Sequence, residues 1–97
     1  MKKKATLLFE DRTVYPAGAI LEMRIWRLPQ SDAERRHGLK YGLFYGRDGR
    51  RIIGYDNERG KGDPRHYRDR EAPYAFSTAE QIVADFLDDV ERERGEA

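Results

Sequence analysis

The clearest periodicity in the chain runs from Ala19 to Leu28. Leu21, Met23 and Ile25 point one way, and Ile20, Glu22, Arg24 and Trp26 the other. A period of two over this length predicts a strand, and Pro29 ends it. Before it, Lys4–Phe9 is a short apolar run stopped by Glu10-Asp11-Arg12, where a tight turn into Thr13-Val14-Tyr15 is expected; Pro16-Ala17-Gly18 closes that piece. Residues 30–38 are polar and charged and read as a loop or one helical turn. Leu39–Gly46 is aromatic and strand-like, Asp48-Gly49 tolerates positive φ and marks a hairpin, and Arg51–Tyr55 is the returning strand. Residues 39–56 are thus an antiparallel hairpin.

Residues 57–71 break the pattern. Nine of the fifteen are charged and none is aliphatic, so a surface loop is expected. A loop this long in a small domain tends to be functional or disordered. From Ser77 the period changes to three and four: Ala79, Ile82, Val83, Phe86, Leu87 and Val90 form one stripe, opposite Asp85, Asp88, Asp89 and Glu91. Ser77 and Glu80 have the spacing of a capping box, and Gly95 is a stop. The fold class is therefore α+β. A curved antiparallel β-meander of about five strands (residues 4–56) leads through a charged functional loop (57–74) to one amphipathic C-terminal helix (78–94), in a single domain spanning 1–97.

Composition narrows the function classes. With 97 residues and no cysteine, a large enzyme with a deep cofactor cleft, a disulfide scaffold, Cys-rich zinc modules and Fe–S clusters all drop out. No apolar run approaches a membrane span, and the run after the N-terminal lysines is too short for a signal peptide. A cytoplasmic protein is expected. The net charge of +1 hides an asymmetry: residues 1–56 carry +5, residues 57–76 carry +1, and residues 77–97 carry −5. The basic front suits a polyanion, and the plainer alternative for the acidic helix is a solvated face.

Residues 55–68 hold the candidate chemistry. Arg59, Lys61, Arg65 and Arg68 crowd beside His66, Tyr55 and Tyr67. Cations hold phosphate and stabilise charge on a phosphorane, imidazole moves a proton near neutral pH, and tyrosine stacks on a base or donates to a phosphate. The plainer alternative pairs these cations with Glu58, Asp63, Asp69 and Glu71, although exposed pairs stabilise by only ~0–1 kcal/mol each. Asp56, Asp63 and His66 offer metal-ligand atoms, but their spacing matches no metal signature. Asp56 and Asn57 also suit the turn leaving a strand. His37, in a charged loop, reads as solvated surface. Trp26, Tyr41, Phe44, Tyr45 and Tyr55 read as core or sheet-face aromatics, with Arg24, Trp26 and Tyr41 the set an RNA-reading face would expose.

Tyr55-Asp56-Asn57-Glu58-Arg59-Gly60-Lys61-Gly62-Asp63, followed by Arg65-His66, resembles the hallmark stretch of the TumE-like family, small toxins of bacterial and archaeal type II toxin–antitoxin modules. The upstream run from Leu39 to Asn57 and Phe76 fit the same pattern, so the resemblance covers about residues 5–92. It departs at Pro64, where the family pattern has histidine. The resemblance implies a toxin acting on RNA or the ribosome, and an antitoxin partner with a DNA-binding helix-turn-helix; a homodimer is left open. Together with the residues it gives a metal-independent endoribonuclease with His66, Arg65 and Asp56 as catalytic candidates, Arg59, Lys61, Arg68 and Tyr67 as RNA contacts, and no cofactor. The alternative is a non-catalytic module that binds nucleic acid or protein through residues 57–71, or an adaptor using the acidic helix face.

Overall fold

The computed structural model describes residues 4–31, 36–57 and 63–95. Among these residues six strands form one antiparallel sheet in chain order: β1 (Thr6–Val14), β2 (Ile20–Arg27), β3 (Leu39–Arg47), β4 (Arg50–Asp56), β5 (Pro64–Tyr67) and β6 (Arg70–Pro73). One helix, α1 (Ala79–Gly95), follows and packs on β3 and β4. The α+β meander with a C-terminal helix is as the sequence pattern implies.

The alternation of β2 fixes the layering. Leu21, Met23 and Ile25 are buried beneath the helix side, joined there by Tyr41, Leu43 and Tyr45 of β3 and by Ile53 and Tyr55 of β4. Ile82, Phe86 and Val90 of α1 close this core. The Tyr55 ring meets Phe86 edge-on at 5.7 Å between centroids, a geometry the ring quadrupoles favour. The β3–β4 turn has positive φ at both Asp48 (54°) and Gly49 (74°), the two-residue turn whose twist matches the flanking strands.

Three expectations are corrected. Glu10-Asp11-Arg12 does not turn. It lies within the continuous strand β1, where Glu10 pairs with Arg24 and Arg12 with Glu22, and a bulge between Leu7 and Phe9 takes up the register. Of the charged stretch expected as loop, residues 64–73 form a second hairpin, β5–β6, that extends the sheet from β4. The N-cap of the helix is Thr78, not Ser77: Thr78 Oγ1 accepts the Gln81 N–H at 3.0 Å, and Thr78 O accepts that of Ile82. Among the described residues no helix is long and apolar enough to cross a membrane.

Candidate functional site

The acidic helix does not simply face water. Asp85, Asp89 and Glu93 recur every four residues and so form one row along α1, beside the apolar row of Ile82, Phe86 and Val90. Each carboxylate receives a tyrosine from the sheet side. Tyr55 Oη donates to Asp89 Oδ2 at 2.5 Å, Tyr67 donates to Glu93, and Tyr74 donates to Asp85. Arginine completes two of these clasps. Arg65 Nη2 donates to Asp89 Oδ1 at 2.8 Å, its guanidinium 5.6 Å from the Tyr55 ring centroid, and Arg68 pairs with Glu93. Burial of the Tyr55 phenol, together with its bond to Asp89, pushes its pKa well above 10. Burial and Asp85 do the same for Tyr74.

This arrangement divides the candidate residues between two faces. Arg65 and Tyr67 reach the helix, so His66, between them, takes the other face. There it pairs directly with Gly54, and the Arg51 side chain lies over that glycine; a Cβ on Gly54 would stand 2.5 Å from Arg51 Cδ. Asp56 is half-buried on the same outer face, opposite Gly42 and diagonal to His66. The structure therefore brings His66, Asp56 and Arg51 to one side, and holds Arg65, Arg68 and Tyr67 on the other side or at its rim. Arg59 and Lys61 lie outside the described residues. Asn57 is fully buried. Its Oδ1 accepts the Tyr41 N–H at 2.9 Å and its Nδ2 donates to Leu39 O at 2.8 Å, so it secures the end of β4 against β3.

The outer face carries Trp26 and Phe44, both half-buried, with the Lys40 ammonium 5.5 Å from the Trp26 ring centroid. Tyr41 is not part of it: it is buried on the helix side, stacked on Phe76 at 5.6 Å. His37 is not solvated surface either. Its ring lies 4.0 Å from Phe76, Nδ1 accepts the Leu39 N–H, and Nε2 stands 3.6 Å from Asp63 Oδ2. The Tyr41 hydroxyl and His37 Nε2 are buried without a hydrogen-bond partner among the described residues. Burial, then the Asp63 charge, raises the Tyr41 pKa. The His37 Nδ1 contact puts the ring proton on Nε2, which leaves no lone pair there for a metal ion. No three His, Asp or Glu side chains among the described residues are placed to share a metal ion. Asp56, Asp63 and His66 do not come together as such a group among the described residues.

Asp85 and Asp89, expected opposite the apolar stripe, are corrected to its border; the four-residue spacing of 85, 89 and 93 beside Ile82, Phe86 and Val90 is the signal that identifies the clasps. A family model described as Toxin TumE matches residues 3–94. No curated protein and no solved structure matches.

Proposed function

The chain belongs to the TumE toxin family, and on that premise we propose that it is the toxin of a type II toxin–antitoxin module and acts on RNA as a metal-independent endoribonuclease. The observation that carries this reading is His66 on the open face of the sheet, paired with Gly54 beneath the Arg51 side chain. In the proposed reaction a base takes the proton of a ribose 2′-hydroxyl, and the oxygen attacks the adjacent phosphorus. The P–O5′ bond breaks, and the leaving oxygen receives a proton. His66 and Asp56 are the acid–base groups, and Arg51 stabilises the charge on the phosphorane. Trp26 and Phe44 offer ring faces for the flanking bases. Arg65, assigned to catalysis from sequence, acts here as a positioning residue: it ties β5, and with it His66, to Asp89 on α1. The antitoxin, expected to carry a helix-turn-helix, neutralises by covering this face, and RNA as target places the toxin in the cytoplasm.

The test is induction of the gene alone, paired with incubation of the purified protein and end-labelled RNA. Growth arrest and cleavage should both disappear in His66→Ala while the circular dichroism spectrum stays unchanged. Equal toxicity and cleavage by a folded His66→Ala protein would overturn the assignment. Arrest with RNA bound but intact would favour the non-catalytic binding module.

A further inference from the structure

We propose that the arginines at the hairpin end of the sheet, Arg47, Arg50, Arg51 and Arg68, form a groove that binds backbone phosphates of single-stranded RNA. The proposal rests on the RNA-directed reading above and adds the place where the strand is held. Four observations carry it. Arg47 and Arg50 are directly opposed across the β3–β4 hairpin, and like charges at opposed positions destabilise a sheet. Arg47, Arg50 and Arg51 have no carboxylate within ion-pair distance among the described residues, unlike Arg12, Arg24, Arg65, Arg68 and Arg92. Arg68 adopts a left-handed φ of 55° in the β5–β6 turn, with its N–H bonded to Ile52 O at 2.7 Å. That conformation is unfavourable for arginine, and it brings Arg68 to the edge of the same cleft while its guanidinium pairs with Glu93. Finally, a cleft of about 660 Å³ runs between the two turns, and Arg47, Arg50, Arg51 and Arg68 all line it around Ile52.

The arginines step across β3, β4 and the β5–β6 turn, with strands spaced about 4.8 Å apart. Planar guanidinium groups match phosphate oxygens two at a time. Two carboxylates, Asp48 and Asp69, also border the cleft, and Glu93 is paired with Arg68, so Arg47, Arg50 and Arg51 leave a small local excess of positive charge. Arg51 belongs to both regions, since its stem lies over Gly54 beside His66. A strand gripped at the turns is thereby led onto the face that holds His66.

The experiment measures binding of a fluorescent single-stranded RNA to the full chain carrying His66→Ala, so that cleavage does not consume the probe. The comparison protein adds Arg47→Gln, Arg50→Gln and Arg51→Gln, which keep most of the aliphatic stems. Each lost phosphate contact should lower the salt slope by ~0.7. Three contacts lower it by about 2 and weaken binding about a hundredfold at 0.1 M salt. Arg50→Gln alone, at an exposed position, should lower the slope by ~0.7 and stands in if the triple variant does not fold. Arg92→Gln, on the solvent side of α1, should leave the slope unchanged. An undiminished slope in the folded triple variant, with parent binding intact, overturns the groove and leaves the RNA reading standing. If the parent binds no RNA at any salt, the RNA reading itself fails. Binding of a polyglutamate probe that requires the three arginines would then reassign the groove to an acidic protein partner.

Discussion

Replacing Asp89 by alanine should cost about 2–3 kcal/mol of folding stability, and the sum can be built from its two partners. Tyr55 is 1% exposed, and among the described residues its hydroxyl donates only to Asp89. Without the acceptor that hydroxyl stays buried and unpaired, at ~1–3 kcal/mol. The Arg65 side chain is 40% exposed, so water takes over much of its charge and the lost pair adds only ~0–1 kcal/mol. Tyr55→Phe removes the donor instead and leaves Asp89 paired with Arg65, so it should cost less, about 1–2 kcal/mol. In the double variant the orphaned hydroxyl is gone, and the combined loss should fall short of the sum of the singles by about 1 kcal/mol or more. Urea titration with linear extrapolation reads all three values, with the slope m unchanged. Against a total of ~5–15 kcal/mol for a domain of this size, the Asp89→Ala loss is large. The reasoning is refuted if Asp89→Ala costs under 1 kcal/mol, or if the two single losses simply add.

Other consequences are as direct. The phenols of Tyr41, Tyr55 and Tyr74 titrate above their ordinary value of 10.0, each chiefly because it is buried. A pKa raised in the folded state means that the folded chain keeps protons the unfolded chain releases. Stability should therefore hold below pH 10 and fall as pH rises beyond it, with tyrosinate absorbance growing in step with unfolding. Gly46→Ala should destabilise by ~1–3 kcal/mol, because its Cβ would stand 2.3 Å from Arg50 O and 2.6 Å from Phe44 Cζ. Gly42→Ala meets nothing within 4 Å and should leave the melting temperature nearly unchanged. Thr78→Ala should cost ~1 kcal/mol as a lost cap, measurable by thermal melting, and Ser77→Ala nearly nothing.

The strands and the helix that bury apolar side chains were legible in the sequence, because burial imposes its period directly: Leu21, Met23 and Ile25 at two, and Ile82, Phe86 and Val90 at four. What escaped was structure built from charge. Residues 64–73 contain no aliphatic chain beyond Ala72 and the prolines, yet they form a hairpin, because Arg65, Tyr67 and Arg68 pack against carboxylates of α1 rather than against hydrocarbon. The binary pattern registers such residues as exposed. β1 escapes the binary pattern for a related reason. Glu10 and Arg12 looked like a turn but are cross-strand partners of Arg24 and Glu22, a pairing invisible until β2 is laid beside them. The candidate site suffered most. Arg65 and His66 are neighbours in sequence and belong together in a motif, whereas strand alternation sends them to opposite faces. His37 looked solvated, since the aromatic ring that covers it, Phe76, lies nearly forty residues away.

The order of the strands also bears on how the molecule assembles. Every strand pairs with its immediate successor, so the sheet can zip through short closures, each with a modest entropy cost. The step that spans a long stretch of chain is the seating of α1, which joins Tyr55 to Asp89 across thirty-four residues. Until that step Asp89 and Asp85 are not in place to accept from Tyr55 and Tyr74, and the core side of the sheet is open. The clasps are then among the last contacts to form and the first to release, so weakening one should hasten unfolding while leaving the refolding rate nearly unaltered. The rate at which the folded domain opens is, on this account, set at the row of carboxylates along its helix.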